Sequence, residues 1–225
     1  MARTYEVQGL CVDVRYLVMG PIQNNVYIIS DGRGTMVVDP SCDAERIVEA
    51  LGGARLDAIV ITHAHWDHTD GAADLRALTG APVIASAVDA PSVEQPRDDT
   101  GTSHTAVPCE VDRTVGNGDV VEVGGMKWKV ISTPGHTKGS ICLFMVPQFG
   151  NHADGLPVLV SGDTLFAGTV GRTDFAGGSL SDMAASVRKL AKLPDDVAVL
   201  PGHNDLTTIG AERRRIFARF GWEPE

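Results

Sequence analysis

An α/β fold is predicted by three features of the 225-residue sequence. Short apolar segments rich in Val, Ile and Tyr recur along the chain. Stretches with helical spacing separate several of them. Four of the apolar segments end in small-residue turns that carry histidine or aspartate. Strands covered by helices on one face and a second sheet or helices on the other are apolar throughout, which is the pattern here. Hydrophobic residues make up 43% of the chain beside 25 glycines, so a packed core is expected rather than disorder. No composition break, repeat or low-complexity tract divides the sequence, so one domain over residues 1–225 is expected.

Strands are expected at 5–18, 25–30 and 36–39. A helix over 43–51 follows, with Ile47, Val48 and Leu51 on its buried face. The fully apolar run Ala58–Ile61 is the expected central strand. Residues 71–78 suit a helix with Ala72, Leu75 and Leu78 on one side. Further strands are expected at 83–85, 120–123, 127–131, 141–146, 158–160 and 197–200, with a hairpin turn at Gly124-Gly125. Two late helices carry the stripes Met183/Val187/Leu190 and Ile209/Ile216/Phe220. Between Ala87 and Gly118, three prolines and several acidic residues predict a long loop outside the sheet that borders the functional site.

The charge balance and the cysteines exclude some classes of function. A net charge of −10 without a basic stripe argues against nucleic acid. The longest apolar run, Ile141–Val146, is far short of the ~18 residues of a membrane span. The opening residues lack the apolar core of an export signal, so a cytoplasmic location is expected. Cys11, Cys42, Cys109 and Cys142 are widely spaced with no CxxC pair, which suits a reducing compartment and gives no thiolate cage.

The chemistry concentrates in the histidines. Three of the seven fall within six residues, in His63-Ala-His65-Trp-Asp67-His68, directly after the buried strand at 58–61. Residues two apart in extended chain face the same way, so His63 and His65 converge, while Asp67 and His68 face a second point nearby. Three more strands run into Pro-Gly-His136, Gly-Asp163 and Pro-Gly-His203. Sites of open α/β sheets gather at strand ends. Four such endings make a shared site a far better account than separate accidents. His104 and His152 have no such setting and are expected to be ordinary surface or hydrogen-bonded histidines.

Imidazole and carboxylate without thiolate suit zinc first, with iron or manganese as alternatives. Seven ligands exceed one four-coordinate ion, so two divalent ions are expected. One would take His63, His65 and His136, the other Asp67, His68 and His203, with Asp163 bridging. Two divalent ions, two carboxylates and a bridging hydroxide would leave about one positive charge, which favours an anionic tetrahedral intermediate.

These residues resemble the metallo-β-lactamase-fold hydrolases over about residues 20–212. Within that superfamily, TPGHT at 133–137, GDTLF at 162–166, GRTDF at 171–175 and PGH at 201–203 are similar to glyoxalase II-type proteins. The resemblance implies a four-layer αββα sandwich with the metals at one sheet edge, and the same ligand assignment. Longer glyoxalase II enzymes carry an extra helical domain that helps hold glutathione. Only 22 residues follow His203, so a short single-domain branch and weak glutathione recognition are expected.

The expected reaction is hydrolysis of a small-molecule acyl thiol by the bridging hydroxide, with Asp67 orienting the nucleophile, a role carried over from the family. Persulfide dioxygenases share the fold and the GR-x-DF stretch, and use one iron on the counterparts of His63, His136 and Asp163. Lactone or ester hydrolysis needs only a different pocket. A non-catalytic metal module or a nuclease scaffold is disfavoured by the full ligand set and the acidic charge. Arg172, with Asp174, is either a substrate contact or half of a buried pair. Trp66 either walls the pocket or packs. The run Glu212-Arg213-Arg214-Arg215 is expected to be a solvated helix face, and Cys142 a small core residue.

Overall fold

The computed structural model describes residues 4–221, so the expected bounds at 1 and 225 lie outside the described residues. The first sheet holds seven strands, β1 (Thr4–Val7), β2 (Asp13–Met19), β3 (Asn24–Ser30), β4 (Thr35–Val38), β5 (Ala58–Val60), β6 (Val83–Ser86) and β7 (Arg113–Val115), paired in chain order. β1 to β4 run antiparallel and β4 to β7 parallel. The second sheet is built from β8 (Val120–Val123), β9 (Met126–Ser132), β10 (Ile141–Met145), β11 (Val158–Gly162), β12 (Ala198–Pro201) and β13 (Thr207–Thr208), in the order 13-12-11-10-9-8.

Three apolar layers hold the fold. Between the sheets, Tyr27, Met36, Val38 and Val60 from the first pack with Trp128, Val130, Leu143 and Val160 from the second. On the outer face of the first sheet, Ile28, Val37, Ile59 and Val83 meet helices α1 (Ala44–Leu51), α3 (Ala72–Thr79) and α4 (Ala90–Glu94). On the outer face of the second, Cys142, Leu159 and Val199 meet α5 (Leu180–Leu190) and α6 (Ile209–Arg215). The order helix, sheet, sheet, helix is the four-layer αββα sandwich. Burial on both faces explains why β3, β4 and β11 are apolar without alternation. The short α2 (Trp66–Thr69) follows β5 and carries Asp67 and His68.

Several local expectations are corrected. The strand expected over 5–18 is two antiparallel strands, because Gly9 turns the chain with a φ of 79°. Val48 and Leu78 are exposed, at 36% and 55%. Val48 stands ~100° around the helix from Ile47, so Ala44, Ile47 and Leu51 form the buried stripe of α1. The segment 87–118 is not one loop outside the sheet. It contains α4, and Arg113–Val115 joins the first sheet parallel to β6. Its acidic and proline residues lie before that strand, and Cys109 is buried against the outer helices. The last stripe is split as well: α6 ends at Arg215, and Phe220 falls in a separate 3-10 turn. Among the described residues, no helix is long and apolar enough to cross a membrane.

Candidate metal centre

The two sheets bring their functional loops to one edge. β5 delivers His63 and His65, and α2 delivers Asp67 and His68. The turn after β9 delivers His136, the turn after β11 Asp163, and the turn after β12 His203. β11 carries a register shift between Val160 and Gly162, which re-aims the chain just before Asp163. Glycine is required where the turns meet. A Cβ on Gly202 would lie 2.3 Å from Asp163 Oδ1 and 2.6 Å from His68 Cε1.

Donor atoms of His63, His65 and His136 converge as one group, and those of Asp67, His68 and His203 as another. Asp163 lies between them. Its Oδ1 is 3.3 Å from His68 Nε2, and its Oδ2 is 3.5 Å from both His136 Nε2 and His203 Nε2. All seven sequence-predicted residues therefore meet at one place.

Four of the five imidazoles are oriented by a hydrogen bond on the far side. His136 Nδ1 lies 2.7 Å from the Arg172 carbonyl and His203 Nδ1 3.2 Å from the Ile22 carbonyl. His68 Nδ1 lies 2.9 Å from Asp39 Oδ2. Thr62 gives its hydroxyl proton to that same oxygen at 2.6 Å, so it accepts from His63 Nδ1 at 3.0 Å. Carbonyl and carboxylate oxygens only accept, so the ring proton is assigned to Nδ1 in these four histidines, leaving each Nε2 as an inward lone pair. His65 Nδ1 donates to His136 Nε2 at 2.8 Å, so its proton is also on Nδ1 and its own Nε2 is buried without a partner.

These inward atoms test whether a metal fits. Nε2 of His63 and His68 and Oδ1 of Asp163 are buried with no hydrogen-bond partner. Unpaired buried acceptors on this scale are costly unless something electropositive joins them. Among the described residues, Asp67 and Asp163 make ion pairs only with imidazoles and with no Lys or Arg. A cluster of lone pairs and carboxylates without a cation fits divalent ions.

The electrostatics show how strongly the carboxylates draw positive charge to this point, to the extent that His68 favours its protonated form beside them. Burial, reinforced by the neighbouring His136, pushes His65 down to about 3, and burial with His68 beside it holds His63 well below its ordinary value. Burial alone would raise Asp67 and Asp163, but His68 outweighs it and both stay below the usual carboxylate range. The three carboxylates around His68 overcome its burial and raise it.

A cleft of about 300 Å³ opens over the centre. Apolar side chains of Ile22, Trp66, Phe166, Val170 and Phe175 line it, together with Arg172, Thr100 and Thr102. The segment 97–104 thus borders the mouth, where His104 packs on Trp66 with ring centroids 4.6 Å apart. A groove of about 410 Å³ along β1 and β2 holds none of the seven residues. His104 and His152 lie outside the centre, each beside a carboxylate.

Arg172 and Asp174 form an exposed pair, so the buried alternative is corrected. Glu212 is also corrected: it is fully buried, accepting from Gly168 N and Thr207 Oγ1, while Arg213 binds the carbonyls of Ala191 and Leu193. Sequence reading missed Asp39, Thr62, Asn24 and Asp89. Asn24 Nδ2 donates to Asp67 Oδ2 at 2.7 Å, and Asp89 Oδ2 ties Ala64 N to Thr137 Oγ1. Asp39 had a visible signal, since it too ends an apolar strand; the other three had none.

Known proteins are similar to this chain in sequence and fold. The sequence pattern described as "Metallo-beta-lactamase superfamily" matches residues 19–203. A hydroxyacylglutathione hydrolase of Albidiferax ferrireducens is 36% identical over 182 residues, 80% of this chain and 62% of that protein. The hydroxyacylglutathione hydrolase GloC of Haemophilus influenzae is 30% identical over 85% of this chain and 90% of its own. The BLEG-1 B3 metallo-beta-lactamase superposes with a TM-score of 0.81 at 29% identity, covering 96% and 99% of the two chains. A protein solved in a di-iron-bound form gives 0.77 at 30% over 89% and 97%. ETHE1 from Myxococcus xanthus gives 0.69 at 29% over 90% and 82%. With the strand-end histidines, the sandwich and this match over most of its length, the chain belongs to the metallo-beta-lactamase superfamily.

Proposed function

We propose that this chain is a binuclear metallohydrolase that cleaves thioesters of small molecules. The observation that carries the reading is the pair of donor groups with Asp163 between them. Two divalent ions held there, zinc first and iron or manganese as alternatives, would supply a hydroxide nucleophile at neutral pH and a Lewis acid for the carbonyl. His63, His65 and His136 would hold one ion, Asp67, His68 and His203 the other, with Asp163 shared. The two relatives named hydroxyacylglutathione hydrolase support the choice of a thioester.

The remaining roles belong to the chain. Asp67, ionised and held by Asn24 Nδ2, would accept a proton from the attacking water and fix its direction. Water oxygen forms a bond to the carbonyl carbon, the C–S bond breaks, and the departing sulfur takes up a proton, giving a carboxylic acid and a thiol. Thiolate leaves readily, so no strong general acid is needed. The apolar wall from Ile22 to Phe175 excludes bulk water around the acyl group.

The likeness to ETHE1 favours a second reading, a persulfide dioxygenase with one iron on His63, His136 and Asp163. One experiment separates them. The metal-loaded protein is given an S-acyl thiol in one vessel and glutathione persulfide in another, with thiol release and dissolved oxygen followed together. Stoichiometric thiol release without oxygen uptake is expected, and added chelator should stop it. Oxygen uptake with the persulfide, which yields sulfite and glutathione, together with no thiol release from the S-acyl thiol, would establish the dioxygenase.

A further inference from the structure

We propose that the cleft selects thioesters whose thiol half is uncharged, and that Asp174 determines this by neutralising Arg172, the cation on the cleft wall. The inference rests on the thioesterase reading and adds the substrate class.

Its volume, about 300 Å³, is at the small end of ligand pockets. An anionic carrier such as glutathione or coenzyme A would need an uncompensated cation there. Arg172 is the one Lys or Arg side chain among the described residues lining the cleft. Its guanidinium is closed on Asp174: Nε lies 2.9 Å from Oδ1 and Nη2 2.7 Å from Oδ2. The same group lies over the Phe175 ring at 4.2 Å, which fixes its plane against the wall. Fork-to-fork geometry plus stacking is the arrangement in which an exposed Arg pair holds together.

The other cationic groups nearby do not line the cleft. Lys138 lines a separate cavity of about 250 Å³ with Asp89 and Asp99. His104, at the mouth, lies 3.1 Å from Asp70 Oδ2. Apart from Arg172 and the residues of the donor groups, the polar lining of the cleft is Thr100, Thr102 and Asn204, all uncharged. With a chain charge of −10, the long-range field also repels anions. What the wall offers a substrate is apolar contact and hydroxyls, which suits a short acyl group on a neutral thiol.

The test uses one acyl group, butyryl, on N-acetylcysteamine, glutathione and coenzyme A, with metal-loaded wild type and Asp174→Asn. Binding of the corresponding S-butyl thioethers, which cannot be hydrolysed, is measured in parallel. Wild type should prefer the neutral carrier by about tenfold in kcat/KM and in thioether affinity, the order of one screened charge interaction. Asp174→Asn should narrow that gap about threefold or more, mainly through KM for the anionic carriers. A wild type that binds either anionic thioether more tightly overturns the proposal, and so does an unchanged carrier ratio in Asp174→Asn. If no ester is cleaved while the thioethers keep the neutral preference and its response to Asp174→Asn, the thioesterase reading falls and the cleft chemistry stands.

Discussion

The Nδ1 of His68 lies 2.9 Å from Oδ2 of Asp39, with both side chains buried and 29 residues apart in sequence. The same oxygen accepts the Thr62 hydroxyl, which in turn accepts from His63. One carboxylate thus fixes the ring of a residue from each donor group. It stands behind the site, on the far side of both imidazoles, and acts by orientation.

Asp39→Asn should therefore weaken metal binding without unfolding the protein. An amide can accept through only one atom: with its oxygen at the Oδ2 position the Thr62 N–H, which donates to Oδ1 at 2.7 Å, loses its acceptor, and with its nitrogen there both His68 and the Thr62 hydroxyl lose theirs. Loss of such an outer hydrogen bond costs about 10- to 100-fold in metal affinity. Competition with a coloured chelator measures it, with circular dichroism as the control for folding. Unchanged affinity would remove Asp39 from the account.

Gly202→Ala tests how closely the loops approach. The added methyl would overlap Asp163 Oδ1 and His68 Cε1, neither of which can move without displacing donor atoms. Overpacking of this kind costs about 1–3 kcal/mol. The expected outcome is a lower metal content and a lower melting temperature. A variant that binds metal like wild type would show that the turn has slack.

Asp163→Ala should reduce kcat/KM more than His203→Ala does. Asp163 approaches donor atoms of both groups, whereas His203 belongs to one. Parallel kinetics with metal content determined for each variant would show it. Equal and mild losses would contradict the shared position.

Chelation should destabilise the whole domain. Ligand present at about a thousand times its Kd stabilises by about 4 kcal/mol, which for a chain of this size is about 10 °C in melting temperature. Thermal unfolding with and without a strong chelator reads this directly. Coincident curves would mean that the site is not occupied in the prepared protein.

The cysteines should be quiet. Burial pushes the thiols of Cys11, Cys109 and Cys142 up to about 11. Cys42 is the remaining one and is partly exposed. A thiol reagent at neutral pH should label about one group in the native protein and all four after unfolding. Fast labelling of more than one would mean that a core strand opens readily.

The sequence made the site legible wherever ligands sit at fixed offsets from an apolar strand. His63, His65 and His68 share one short segment, and Pro-Gly-His136 and Pro-Gly-His203 repeat one grammar. Asn24 and Asp89 were silent because their partners lie 43 and 48 residues away and their types are ordinary in turns. In the fold, long double-covered strands such as β3 were plain from their apolar runs. The edge strand β7, with three residues and two of them exposed, had no pattern strong enough to mark it. α4 spans five residues, too short for a helical period, and it is held by packing of Ala90 and Val93. Glu212 misled because a charge run is normally solvated, and only the tertiary fold supplies Gly168 and Thr207 as its donors.

The central claim is a centre for two ions, and counting them tests it most directly. Chelator-stripped protein is titrated with zinc, freed of excess metal and analysed for metal per chain. Two ions per chain are expected, about 3.5 Å apart by X-ray absorption as in other two-metal sites. A plateau at one ion per chain under excess metal would contradict the account.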